Sequence, residues 1–383
     1  MAGQGTDVGP VARAKPGLVS PDALRRHLQV LKDKHVLVVL LVDATDFSGS
    51  FLPKLRDAVG KNPVLLVVTK ADLLPRGTDD IALARWIEDE VGHRRLTLAG
   101  LHLVSSRTGD GMSAAVSEMV ANRRGRDVVV VGAANVGKSS FIRAAMEVLR
   151  KQGDVAAPSR RLPMASPMPG TTLGVIPLRA FDGKATLYDT PGVVLHHRVN
   201  GMLDGPDLAA LAPRQPLRSR EIENPDAHDG GDSSVRLKGL ALFWEALARV
   251  DVVNAPPSMR LLFWGPCERA RVQALSMADA DKGQTPWDEV DGAEPPIGAA
   301  AVAARGGLRI AREVDLMPGS RFAPIADISI SGLGGWITVV AGGTDARRGT
   351  QQSGPAIRLR VWVPRGSEVF VRPPMPVQPR GFW

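Results

Sequence analysis

Apolar runs in the first half of the chain are short and unbroken, and amphipathic stretches separate them. His35 to Val42 is a Val/Leu run without alternation, which predicts a strand buried on both faces. Val64 to Val68, Leu96 to Val104, Val128 to Val131 and Ala185 to Tyr188 repeat that pattern. Phe51 to Val59, Asp79 to Val91, Met112 to Arg123 and Ser140 to Arg150 predict helices between them. Ser20 before Pro21 predicts a capped helix over Pro21 to Leu31, with Leu24, Leu28 and Leu31 on one face. Strands alternating with helices predict an α/β fold built on a doubly wound, mainly parallel sheet. In such sheets ligands bind at the carboxyl ends of the strands.

From about residue 250 the pattern changes to short β-like runs joined by Gly- and Pro-rich turns. These are Arg260–Trp264, Leu308–Val314, Gly335–Val340, Ile357–Val363 and Glu368–Val371, and they predict a smaller β-rich C-terminal domain. The expected layout is a tail over 1–20, a first domain over 21–200 and a connecting segment over 201–235. A second domain follows over 236–383, opening on a helix from Val235 to Arg249, with a flexible insertion over 278–307.

Composition narrows the partners. The chain is 44% apolar over 383 residues, enough for two cores. No apolar run approaches the ~20 residues of a membrane helix. One cysteine, Cys267, excludes an internal disulfide and suits a reducing compartment. The net charge of +8 favours a polyanionic partner such as RNA. Arg123-Arg124-Gly125-Arg126, Arg160-Arg161 and Arg347-Arg348 are basic clusters, each readable equally as solvated surface.

The chemistry lies at strand ends. Gly132-Ala133-Ala134-Asn135-Val136-Gly137-Lys138-Ser139 fits G-x-x-x-x-G-K-[ST] between a predicted strand and a predicted helix. Backbone amides of such a loop cradle phosphates, its lysine reaches the β- and γ-phosphates, and its Ser139 hydroxyl binds Mg²⁺. Thr69-Lys70-Ala71-Asp72 ends the run at Val68. The Asp72 carboxylate can accept from N1–H and the exocyclic amine of guanine, whereas adenine would leave it facing a lone pair. Lys70 is expected to brace the phosphate loop. Ser105-Ser106-Arg107 follows Val104 and fits a short loop whose backbone amide contacts the guanine oxygen. Pro169-Gly170-Thr171-Thr172 fits switch I, with Thr172 preferred over Thr171 as an Mg²⁺ ligand. Asp189-Thr190-Pro191-Gly192 fits the switch II motif D-x-x-G, with Asp189 on Mg²⁺ and the Gly192 amide on the γ-phosphate. Val193 follows where Ras-type enzymes place a water-orienting glutamine. The nucleotide set also takes in Val136 and Ser140 from the phosphate loop and the helix after it. Asp43 ends its strand on the same edge and reads as structural, with a role assisting the site as the alternative.

The base motif precedes the phosphate loop, the reverse of the usual order. That order resembles circularly permuted GTPases, and within them the YqeH-type family of bacterial ribosome-assembly GTPases and plant organellar relatives. Val42-Asp43, Asp46-Phe47-Ser48-Gly49-Ser50, the phosphate loop, Pro169 to Gly174, Tyr188 to Gly192 and Ser331-Gly332-Leu333-Gly334-Gly335-Trp336 carry the resemblance. It implies a circularly permuted P-loop GTPase domain that binds GTP or GDP with Mg²⁺. It implies K⁺ held by Asn135, which adds Asn135 to Lys138, Thr172 and Gly192 as candidate catalytic groups. It implies action on the small ribosomal subunit through ribosomal RNA in a chloroplast, with mitochondrion and bacterial cytoplasm as alternatives, and no role on DNA. The family usually begins with a zinc knuckle of paired CxxC motifs, for which one cysteine does not suffice. Trp336 and Trp362 read as core residues or as base-stacking platforms. Switch II leads directly into 201–235, so that segment is the expected path of coupling to the second domain. A nucleotide-binding scaffold or RNA-binding regulator with little turnover is the alternative function. No dinucleotide fingerprint or thiolate cluster supports a redox enzyme.

Overall fold

The computed structural model describes residues 18–20, 22, 35–94, 96, 98–153, 175–222, 237–256, 259–265, 271–288, 294–319, 321–342 and 357–377. The predicted helix Pro21 to Leu31, switch I and the Arg160 and Arg347 clusters lie largely or wholly outside them.

The first half is built on a six-stranded sheet. Chain order begins with β1 (Leu18–Val19), β2 (Val36–Asp43), β3 (Val64–Thr69), β4 (Leu98–Leu103) and β5 (Asp127–Gly132). It continues with β6 (Ile176–Ala180), β7 (Ala185–Asp189) and β8 (Gly192–Val193). The spatial order is β4-β3-β2-β5-β7-β6, parallel except for β6. Every residue of β2 and β3 is buried, as their unbroken apolar runs require. Helices Asp80–Gly92, Met112–Arg123 and Lys138–Lys151 follow the predicted spans closely. Asp79 caps the first by accepting from the Ile81 and Ala82 amides. The predicted helix Phe51 to Val59 is shorter, running Leu55–Val59 behind an extended Phe51. Pro53 disfavours helical backbone at Leu52, which sets that start.

The second half holds two five-stranded antiparallel sheets. Its strands are β9 (Arg218–Glu221), β10 (Leu240–Trp244), β11 (Ala248–Asn254), β12 (Arg260–Gly265) and β13 (Val272–Ser276). They continue with β14 (Leu308–Leu316), β15 (Ala323–Ile330), β16 (Trp336–Ala341), β17 (Ile357–Pro364) and β18 (Val369–Arg372). One sheet runs β13-β10-β11-β17-β14 and the other β18-β15-β16-β12-β9. Where helix was predicted over Val235 to Arg249, Leu240 to Arg249 instead belongs to the β10–β11 hairpin. Leu240 to Trp244 is buried throughout, and an apolar run that short carries no period to separate strand from helix. Within 278–307, expected as a flexible insertion, helices Met277–Asp281 and Ala299–Ala303 form and bury Ala280 and Val302.

The second sheet is a middle layer. Leu261, Phe263, Ile337 and Val339 face a core shared with Leu242, Val250 and Leu359 of the other sheet. Their neighbours Leu262, Trp264, Trp336 and Val340 belong to the core of the first half. Alternation along each strand thus serves two cores at once. Trp336 is fully buried and stacks on Trp264 with ring centroids 5.8 Å apart, so it offers no face to a base. Trp362 donates from Nε1 to Asp251 at 2.7 Å and lies under the Arg249 guanidinium. Trp336 is a core residue, whereas Trp362 is half-buried and held by these two contacts.

Candidate guanine-nucleotide site

The register aligns the motif residues on one edge. Asp43 pairs with Thr69, Leu41 with Gly132 and Val130 with Asp189, so the parallel strands β2, β3, β5 and β7 deliver their carboxyl ends to one edge, β5 ending two residues short of β2 and β7 two short of β5. Beyond β5, Asn135 (φ 65°) and Gly137 (φ 89°) adopt left-handed backbone and curl the loop before helix Lys138–Lys151 begins. Gly132 is needed for a close approach, since a Cβ there would lie 3.0 Å from the Leu41 carbonyl. Asn135, Ser139 and Ser140 are exposed at the mouth.

Lys138 and Asp189 form the charged floor. The Lys138 side chain is 10% exposed, and Nζ lies 3.9 Å from Asp189 Oδ1. Burial lowers the lysine and raises the aspartate, each against the pull of the other. Asp189 Oδ1 is buried without a hydrogen-bond partner. An orphaned carboxylate oxygen beside the phosphate loop fits Mg²⁺ or one of its waters, with the exposed Ser139 hydroxyl as a second ligand. Thr172, the switch I ligand expected from sequence, lies outside the described residues.

The base motif is stitched to the phosphate loop although the two are far apart in the chain. Thr69 Oγ1 donates to the Val136 carbonyl at 2.6 Å. Lys70 Nζ donates to the Asn135 carbonyl at 3.0 Å and pairs with Asp43. Lys70 therefore braces the loop as expected. Asp43 also accepts from the Thr45 amide and hydroxyl, capping the turn Ala44–Asp46. Burial alone would raise the Asp43 carboxyl, but Lys70 pulls it below the usual carboxylate range. The Ala71 amide bonds the Val104 carbonyl and places Asp72 against the Ser-rich loop. Ser105 is buried and shapes that loop, its Oγ accepting from the Thr108 amide. Ser106 is half-buried beside it.

Three features went unread in the sequence. Arg107 was expected only as a member of the loop, yet its Nε and Nη2 lie 2.9 and 2.8 Å from Asp72 Oδ2. Arg198 donates to the Ala134 carbonyl of the phosphate loop at 2.7 Å, and no local pattern announces it. The Gly192–Val193 strand pairs in parallel with β1 and lies against the loop, where the Ala134 amide donates to the Val193 carbonyl. Val193 itself is fully buried, so its side chain cannot orient a water.

A cavity of about 190 Å³ beside the loop is lined by Asp43, Lys70, Asn135 and Arg198 among others. A larger one of about 510 Å³, between Arg220–Ile222 and Val272–Leu275, touches none of the motif residues. The chemistry points to the smaller.

Asp72→Asn is expected to lower GDP affinity about hundredfold, from the loss of two charge-assisted hydrogen bonds. Titration with fluorescent GDP and with the xanthine analogue measures it, and an unchanged guanine preference would remove Asp72 from the base site. Arg107→Ala is expected to weaken GDP only about two- to fivefold, because the Arg107 side chain is 66% exposed and its charge is screened by water.

A phosphate loop and a base motif meeting at the carboxyl edge of a mainly parallel sheet, with the base motif first in the chain, define a circularly permuted GTPase domain. The family model described as "50S ribosome-binding GTPase" matches residues 127–211. A protein of Oryza sativa subsp. japonica whose name refers to nitric oxide synthase is 40% identical over 369 residues, covering 94% of this chain and 65% of its own length. "NO-associated protein 1, chloroplastic/mitochondrial" of Arabidopsis thaliana is 38% identical over 375 residues, 95% of this chain and 65% of its own. "Uncharacterized protein YqeH" of Bacillus subtilis (strain 168) is 34% identical over 222 residues, 58% of this chain and 55% of its own. The chain belongs to the YqeH-type family of circularly permuted GTPases. It spans about two thirds of the length of the rice and Arabidopsis relatives.

Proposed function

We propose that this chain binds GTP and GDP at the edge formed by β2, β3, β5 and β7 and hydrolyses GTP as a switch in ribosome assembly. The observation that carries the reading is the pair of contacts from Thr69 and Lys70 to the phosphate-loop carbonyls of Val136 and Asn135. They hold a guanine-selective carboxylate and a phosphate cradle in one rigid frame.

Lys138 is the cation for the β- and γ-phosphates, and Asp72 reads the base. Ser105, Ser106 and Arg107 close the base pocket. Ser139, Asp189 and Thr172 would hold Mg²⁺, which when bound neutralises charge on the β- and γ-oxygens. The Gly192 amide answers to the γ-phosphate. Asn135, exposed at the loop mouth, would hold K⁺ where an arginine finger otherwise places charge. The positive net charge suits ribosomal RNA, and a small ribosomal subunit in a chloroplast is the proposed setting.

The test is GTP hydrolysis by the purified chain in K⁺ against Na⁺, with and without small or large ribosomal subunits. K⁺ is expected to raise turnover about tenfold or more, an effect that Asn135→Ala abolishes. Further stimulation by small subunits supports the assembly role, whereas stimulation by large subunits alone would redirect it. Buried Val193 favours a second reading, a guanine-nucleotide-dependent scaffold. Tight binding with no stimulation by ion or particle selects that one.

A further inference from the structure

Segments distant in sequence converge on one buried guanidinium. Arg198 lies just past β8 and is 5% exposed. Its Nη1 donates to the Ala134 carbonyl at 2.7 Å. Its Nε and Nη2 each lie 3.0 Å from Asp46 Oδ2, in the loop after β2. The same oxygen accepts from the Gly332 amide at 2.8 Å, in the loop between β15 and β16. On either side of Arg198 the backbone is held as well. The Val199 amide donates to the Ser331 carbonyl, and the Glu368 amide to the His197 carbonyl. Gly332 has φ 83°, and a Cβ there would lie 2.9 Å from both Arg198 Cβ and the Val199 nitrogen. Only glycine allows that approach.

A planar guanidinium with its donors in a fixed fork can satisfy a carbonyl and a carboxylate together, and it cannot shift toward one without straining the other. The Arg198 Nε and Nη2 donors and the Gly332 amide all converge on Asp46 Oδ2, while Oδ1 is buried without a hydrogen-bond partner among the described residues, so the carboxylate has no alternative contact to offset the loss of any of them. We propose that Arg198 is a positioning residue that makes the shape of the phosphate loop and the docking of the 331–335 loop interdependent. A nucleotide that fixes the Ala134 carbonyl fixes Arg198, then Asp46 Oδ2, then the Gly332 amide. By reciprocity, docking of the middle sheet tunes nucleotide affinity. The proposal rests on the guanine-nucleotide reading of the site and adds the path by which it reaches the second half. That path runs through hydrogen bonds and lies ahead of 201–235, the segment expected from sequence to carry the coupling. Part of that segment, β9, is itself pinned to β12.

Hydrogen exchange on the full chain, with and without GDP and Mg²⁺, reads the coupling. In the wild type, GDP is expected to slow exchange of the 331–335 amides about tenfold. Arg198→Met, held at a GDP concentration that its own fluorescent titration shows to be saturating, is expected to lose that slowing and to bind GDP more weakly than the wild type. Gly332→Ala approaches from the other side and leaves every phosphate-loop residue in place. It is expected to weaken GDP about fivefold, with the fold checked by circular dichroism. Slowing retained in Arg198→Met, or GDP affinity unchanged in Gly332→Ala, overturns the proposal. A wild type that binds no guanine nucleotide overturns the site reading itself, which the titration shows before any variant is made.

Discussion

Alanine at Lys138 is expected to lower the rate of GTP hydrolysis about a thousandfold, equivalent to about 4 kcal/mol at the barrier. The magnitude follows from where the cation sits. Lys138 opens its helix behind a left-handed Gly137, and its ammonium is almost fully enclosed beside Asp189. Burial makes a charge there act on the phosphates with little screening by water. Removing it has a second effect, because Asp189 Oδ1 has no hydrogen-bond partner of its own. Without Lys138 the Asp189 carboxyl rises further and becomes a poorer partner for Mg²⁺. Single-turnover hydrolysis measures the first effect and the Mg²⁺ dependence of the rate measures the second. GDP affinity should fall far less, since the loop amides remain. Turnover within about tenfold of wild type would remove Lys138 from the reaction.

Methionine at Arg372 is expected to destabilise the chain by about 3–5 kcal/mol near pH 8. Arg372 ends β18 and is buried between the two halves. Its guanidinium lies over Trp86 of the first half at 5.0 Å and over Trp336 of the second at 5.7 Å. It donates to Ser48 Oγ at 3.2 Å and sits 3.9 Å from Asp327 Oδ2. Without it, the donors left to Asp327 among the described residues are neutral, the Thr338 hydroxyl and the Met375 amide. The loss therefore depends on pH. Burial pushes the Asp327 carboxyl up to about 6 from 3.8, against the pull of Arg372. A folded-state pKa above the unfolded value means that this group's stabilising contribution is complete below pH 3.8 and is lost as pH rises through 6. In Arg372→Met the protonated acid needs no counter-charge, so the deficit shrinks toward about pH 5. Urea midpoints at both pH values test this. A deficit that is the same at both would show that Asp327 is not the group left unpaired.

How far the sequence carries can be judged from particular elements. The strands β2, β3 and β5 were legible because each is buried on both faces and each ends in a motif with its own chemistry. The hairpin β10–β11 was not. Its run Leu240 to Trp244 is apolar at every position, and only pairing with β11 and β13 makes it a strand. Trp336 was readable as a base platform or a core ring, and the outcome depended on a second layer of protein that its local sequence does not describe. Arg107 shows the same limit within the site, since its place in the loop was legible but its partner was not.

By itself the sequence determined the parts and their order. A Gly-rich loop between strand and helix, a carboxylate at a strand end and a D-x-x-G turn are local patterns, because the backbone geometry each needs is set by neighbouring residues. The tertiary structure decided how the parts hold one another. Thr69 and Val136 are 67 residues apart, Asp46 and Arg198 are 152 apart, and Asp46 and Gly332 are 286 apart. No periodicity or spacing encodes such contacts. They exist because two packed cores bring these loops together and bury their polar groups beside one another.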